Sequence, residues 1–232
     1  MEAQDCVALV LVYLIIAASL GISMYLEKKG SAVDTRKVVH IGVGNFVFVW
    51  WMFTENWIML AFFTVPFGIV LFLAMLKDNA ISRSKLGTLS NQGHKTGLFF
   101  YAVTITILVI ACSGHWTAAS IGVVAMTYGD GFGSVIGRRF GKHKTFNGKS
   151  LEGSLGVFAL TAVMAAVVIL FYGLLASAGL YPAGAYGGIV PIWAACLIAG
   201  ALASAIEAVS KGFFDNLAVP LIVALAMALL GL

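Results

Sequence analysis

Tyr128–Gly156 reads YGDGFGSVIGRRFGKHKTFNGKSLEGSLG. Most of the chain on either side is apolar. Within these 29 residues lie a carboxylate (Asp130), Arg138 and Arg139, Lys142, Lys144 and Lys149, a second carboxylate (Glu152) and eight glycines. Basic groups, carboxylates and a permissive backbone together suit a polyphosphate and its divalent metal. A cytoplasmic loop between membrane spans would account for the basic residues unaided. It would not account for Asp130, which precedes Arg138 by eight residues inside an apolar run. Were the segment helical throughout, Asp130 would lie about 12 Å below Arg138, at a rise of ~1.5 Å per residue. A carboxylate at that depth needs a partner, a metal or a water-filled cavity.

Outward from this stretch the composition sets the class. Of 232 residues 61% are hydrophobic and 10% charged, with a mean hydropathy of +1.00; soluble chains are about 25% charged. Apolar segments of about 20 residues recur along the length. The expectation is an all-α, polytopic integral membrane helical bundle of about seven to eight spans, one domain over residues 1–232. The net charge of +4 then reflects topology, and no nucleic-acid partner is expected. Glu2 and Asp5 stand where a signal peptide would carry basic residues, so the first apolar run reads as a span. Cys6, Cys112 and Cys196 lie in apolar runs without metal or disulfide spacing and read as small buried residues.

The spans are expected at about 5–26, 38–53, 57–76, 97–113, 116–137, 151–178, 189–209 and from 217 to 232. Lys28, Lys29, Arg36 and Lys37 follow the first; Lys77, Arg83, Lys85 and Lys95 follow the third. Arg138, Arg139, Lys142, Lys144 and Lys149 follow the fifth, and Lys211 follows the seventh. The links after the second, fourth and sixth carry none. All 14 basic residues thus fall on one side, cytoplasmic by the positive-inside rule.

The acidic residues divide accordingly. Glu2, Asp5 and Glu55 are expected on the outer side, merely solvated. Asp130, Glu152, Glu207 and Asp215 collect at the cytoplasmic level with the basic cluster. Gly129, Gly131 and Gly133 flank Asp130, and such a patch is expected to break the helix so that backbone lines a cavity. Glu207 has Lys211 four residues on as a structural partner. Asp215 and Asn216 open the last span, suited to capping or to a cation, and Glu152 suits the first turn of its helix. Arg36 and His40 share a helical face, with Lys37 beside them, at the same level. His94 and His143 lie in polar loops, uncommitted. Gly148-Lys149-Ser150 is no phosphate-binding Walker loop, because GxxxxGK[ST] needs glycine where His143 stands.

The segments RKVVHIGVGN (Arg36–Asn45), YGDGFGSVIGRRFGK (Tyr128–Lys142), KSLEGS (Lys149–Ser154) and DNLAVPL (Asp215–Leu221) resemble the CTP-dependent polyprenol kinase family. That family includes dolichol kinases, phytol kinases and CTP-dependent diacylglycerol kinases. The central block is also similar, more distantly, to CDP-diacylglycerol synthases. Those usually have Ser-Asp where this chain has Gly129-Asp130, and Lys-Lys-Thr-x-Glu-Gly where it has Gly148–Gly153; both departures favour the kinases. Glu152-Gly153-Ser154 is shared with dolichol kinase-like members, whereas phytol kinases often show Ala-Gly-Ser.

The resemblance implies a multispan enzyme that transfers the γ-phosphoryl group of CTP, with Mg²⁺, to a lipid alcohol. It implies Asp130 at the metal or the acceptor hydroxyl, with Glu152 and Asp215 as further metal or orienting groups. Arg138, Arg139, Lys142 and Lys149 would neutralise the triphosphate, beside Gly131 and Gly133. Arg36, Lys37, His40, Glu207 and Asn216 would complete the site. The acceptor stays open among polyprenols, phytol-like alcohols and diacylglycerol. Two rivals stand beside this reading: a cytidylyltransferase acting on phosphatidate, and an ion-coupled transporter using Asp130 and Glu207. No internal repeat of the transporter kind is evident.

Overall fold

The computed structural model describes residues 1–31, 34–76, 79–84, 87, 96–182 and 188–232. Lys77, Lys85, His94 and Lys95, which entered the topology and site reading, lie outside them. Among the described residues every regular element is helical. Four helices are long and apolar enough to cross a membrane: Ala3–Lys28, Asn56–Met75, Leu151–Ser177 and Ile192–Val209. Gly97–Ala111 and Asp215–Leu229 are shorter apolar helices. The protein is an all-α integral membrane bundle. The chain groups into two compact units, Met1–Ala111 and Cys112–Leu232.

The first unit holds α1 (Ala3–Lys28), α2 (Thr35–Gly44), α3 (Asn56–Met75) and α4 (Gly97–Ala111). The expected second span, 38–53, is not one α-helix. The Asn45 side chain donates to the carbonyls of Ile41 (3.1 Å) and Gly42 (3.0 Å). It thereby takes up carbonyls that the next helical turn would need. Short 3₁₀ turns at Asn45–Phe48 and Trp50–Met52 follow. Asp5 is fully buried rather than solvated. It accepts from the amide of Thr54 at 2.8 Å, from the Thr54 hydroxyl, and from the amide of Glu2 at 2.6 Å. An ionised carboxylate sits inside only when such donors replace water. Cys6 is exposed and Cys112 half-buried, so Cys196 alone of the three is the buried residue expected.

The second unit is built around α5 (Trp116–Val124), every residue of which is buried. A helix apolar on all sides belongs at the centre of a bundle. It passes through a π-helical turn, Ala125–Asp130, into α6 (Gly131–Phe140). The expected glycine break at Asp130 therefore does not occur. The helix stays continuous through Gly129, Gly131 and Gly133, widened over Ala125–Asp130 into the π-turn. A loop leads to α7 (Leu151–Ser177), capped where the Ser150 hydroxyl accepts from the amide of Gly153 at 3.2 Å. Such caps are worth about 1 kcal/mol. α8 (Ile192–Val209) packs along α7, and α9 (Asp215–Leu229) packs against α5 and α8.

Candidate functional site

The C-terminal ends of α6 and α8 and the N-terminal ends of α7 and α9 meet through the loop 141–150. An isolated antiparallel bridge, Lys144 to Ser150, shapes that loop. The amide of Thr145 donates to the Lys149 carbonyl at 2.9 Å, and that of Leu151 to the His143 carbonyl at 2.9 Å. Its tip turns through Asn147 (φ 55°) and Gly148 (φ 78°), the left-handed region that glycine enters without strain and asparagine tolerates.

Lys149 leaves this turn half-buried, with its ammonium 2.6 Å from Glu207 Oε1 and 3.9 Å from Asp215 Oδ2. It donates as well to the main-chain carbonyl of Glu207. The expected pairing of Glu207 with Lys211 is thus replaced. Lys211 is exposed beyond the end of α8, while Glu207 is buried and faces the loop. Beside this pair Asn147 donates to the Val209 carbonyl at 3.0 Å. The loop thereby satisfies carbonyls that the end of α8 leaves without in-helix partners.

Asp130 closes the π-turn, 7% exposed. That turn packs against α7, α8 and α9, and single π-turns within α-helices concentrate at functional positions. Gly131 and Gly133 are buried at the start of α6. Arg138, Arg139 and Lys142 are exposed at and just beyond its far end. Asp215 and Asn216 are half-buried in the first turn of α9, where the amide of Asn216 donates to Asp215 Oδ1 at 2.8 Å. Glu152 pairs instead with His143: Oε1 lies 2.7 Å from Nδ1, and the His143 amide points at both carboxylate oxygens.

Among the described residues no three His, Cys, Asp or Glu side chains come close enough together to hold a metal. Asp130, Glu152 and Asp215 are therefore not gathered into one ligand set. Glu152 is turned to the loop by His143, and Asp215 lies beside Lys149. Arg36 and Lys37 are half-buried in α2 of the other unit. His40 is buried there, its ring 4.5 Å from that of Tyr101, whose hydroxyl donates to the His40 carbonyl at 3.4 Å. Its surroundings are those of a core histidine.

The sequence reading passed over Asn147 and left His143 uncommitted. Asparagine beside Gly148 was a turn signal for the first. Nothing local marked the second.

A phytol kinase of Synechocystis sp. is 33% identical over 197 residues, 81% of this chain and 75% of the relative. A chloroplastic farnesol kinase of Arabidopsis thaliana is 30% identical over 207 residues, 84% of this chain and 64% of the relative. A probable chloroplastic phytol kinase of Triticum aestivum is 30% identical over 150 residues, 60% and 49%. The chain thus spans between about half and three quarters of these relatives' own length. No family model matches the chain. No solved structure matches it. With that identity across three quarters of a kinase of a lipid alcohol, the chain belongs to the phytol kinase family of polyprenol kinases.

Proposed function

We propose that this protein transfers the γ-phosphoryl group of CTP to the hydroxyl of an isoprenoid alcohol, of the phytol or farnesol class, at the cytoplasmic face of a membrane. The observation that carries the reading is Lys149. Its half-buried ammonium is held among the ends of α7, α8 and α9, in a chain whose relatives include a phytol kinase and a farnesol kinase. CTP as the donor rests on the resemblance of the central block to CTP-dependent enzymes.

Phosphoryl transfer asks a protein mainly for positioning and charge neutralisation. The acceptor oxygen forms a bond to the γ-phosphorus, and the bond from that phosphorus to the β–γ bridging oxygen breaks. CDP leaves with the electron pair. Asp130 orients the acceptor hydroxyl and takes its proton. Lys149 meets the triphosphate from the half-buried side. Arg138, Arg139 and Lys142, around the end of α6, draw the nucleotide in.

Hard oxygen donors suit Mg²⁺, which keeps its waters and takes one or two carboxylates alongside phosphate oxygens. Asp215, half-buried beside Lys149, would offer one such carboxylate alongside the nucleotide phosphates. When bound, the ion would supply neutralisation of the phosphate charge.

The test is a lipid assay of the purified full chain in detergent with phytol, farnesol and diacylglycerol as acceptors. Label from γ-labelled CTP is expected in the lipid product with phytol or farnesol, with CDP as the soluble product and no label transferred from α-labelled CTP. Transfer of α-label to lipid, dependent on phosphatidate and releasing pyrophosphate, would make the protein a cytidylyltransferase instead.

A further inference from the structure

Glu207 is a buried carboxylate, 7% exposed near the end of α8, and the transfer reaction as described gives it no task. A surface ion pair would be unremarked, since such pairs contribute little. This one differs in two respects. Both partners are largely withdrawn from solvent, the Lys149 side chain being 22% and the Glu207 side chain 10% exposed. And one residue grips the ammonium twice, through its carboxylate at 2.6 Å and through its own main-chain carbonyl.

That carbonyl belongs to the last turn of α8, at the negative end of the helix dipole. An ammonium has three N–H donors. Two are committed to Glu207, and the ammonium nitrogen is 3.9 Å from Asp215 Oδ2, beyond hydrogen-bonding distance, so the third is not taken up by that carboxylate. A lysine side chain otherwise carries large rotamer entropy and wanders. Asn147, bonded to the Val209 carbonyl, anchors the other side of the same turn, so the lysine's backbone is fixed as well.

We infer that Glu207 is a positioning residue, holding the Lys149 ammonium in one place and orientation so that its remaining N–H meets the incoming nucleotide phosphate. The inference rests on the reading of Lys149 as a phosphate-binding residue. It carries a sign of its own. The Glu207 charge offsets part of the pull of Lys149 on phosphate while fixing where that pull acts. Removing the charge leaves nucleotide affinity unchanged or tighter and makes turnover worse.

The test uses Glu207→Gln in the full chain, purified in detergent. The first readout needs no catalysis: the rate at which an amine-reactive ester acylates Lys149 without nucleotide, read by mass spectrometry of the Lys149 peptide. A several-fold rise is expected. The second is steady-state kinetics with CTP and the acceptor alcohol. kcat is expected to fall by about ten- to a hundredfold, the scale of a misplaced catalytic group, with a KM for CTP no higher than wild type. In Lys149→Met the same change at Glu207 has no cation left to place and lowers turnover no further.

Unchanged acylation of Lys149 would overturn the inference. So would a raised KM with normal kcat, or the same loss of turnover with and without Lys149, which would mark Glu207 as acting on something else. A wild-type chain that transfers no phosphate at all is a different failure, that of the kinase reading. An active wild type with an indifferent Glu207→Gln is the failure of this inference.

Discussion

Asp130 is the residue on which the chemistry turns. It is buried at the end of a π-helical turn, and a carboxylate is kept at such a position at a cost in desolvation. Asp130→Asn is nearly isosteric and removes the charge. Turnover is expected to fall at least about a hundredfold, the scale of losing one group that acts on the transition state, while the protein still purifies as a folded species. Normal phosphorylation of phytol or farnesol by this variant would remove Asp130 from the mechanism. Glu55→Gln serves as the control: Glu55 is exposed in the first unit, and its loss is expected to leave kcat and KM unchanged. Asp5, at first sight a comparable outer carboxylate, would be a poor control because Thr54 and Glu2 hold it in the core.

At the scale of elements, the site depends on how closely α6 lies against α7. A Cβ built on Gly133 would strike the Val157 side chain and lie 3.1 Å from the carbonyl of Gly153. On Gly153 it would lie 3.2 Å from both the Gly133 carbonyl and Gly137 Cα. The two helices approach nearly backbone to backbone, and small residues permit this in membrane bundles. Gly133→Ala is expected to destabilise the fold by about 1–3 kcal/mol through overpacking, measured as a shift in denaturant or thermal unfolding in detergent. Gly173 is the contrast: it is exposed in α7, and a Cβ there would meet nothing within 4 Å. Gly173→Ala is expected to be neutral or stabilising by up to about 1 kcal/mol, since alanine favours the helix. Equal destabilisation by both changes would show that the approach of α6 to α7 is not what the glycine at 133 serves.

For the whole molecule, the question is which side of the membrane the loop 141–150 occupies. α7 has 27 residues and is therefore about 40 Å long, more than the ~30 Å hydrocarbon core. Lys144 precedes it and Tyr181 follows it. Single cysteines placed at these two positions are expected to react with an impermeant thiol reagent from opposite sides, Lys144→Cys from the cytoplasm. Labelling of both from the same side would contradict a membrane-crossing α7, and with it the placing of basic residues on one face. The Glu152-Gly153-Ser154 ending, shared with dolichol kinase-like sequences, does not decide the acceptor. The relatives are instead named as phytol and farnesol kinases, which is why those two alcohols head the acceptor panel.

Membrane character, helical class, the order of the helices and the family were all legible in the sequence, because each rests on local quantities. Hydropathy sums over neighbouring residues, and the blocks around Asp130, Lys149 and Asp215 are contiguous. Which charge meets which was decided by the tertiary structure. Helical spacing pointed Glu207 to Lys211, yet its partner is Lys149, 58 residues away. Asp5 read as solvated and is buried against Thr54, 49 residues on. Glycines around Asp130 read as a break and instead pack a continuous helix against its neighbours. Such pairings depend on which helix ends the packing of the bundle brings together, and on whether protein donors there replace the water a charge has lost. Both are properties of distant segments meeting, to which no local pattern of residues corresponds.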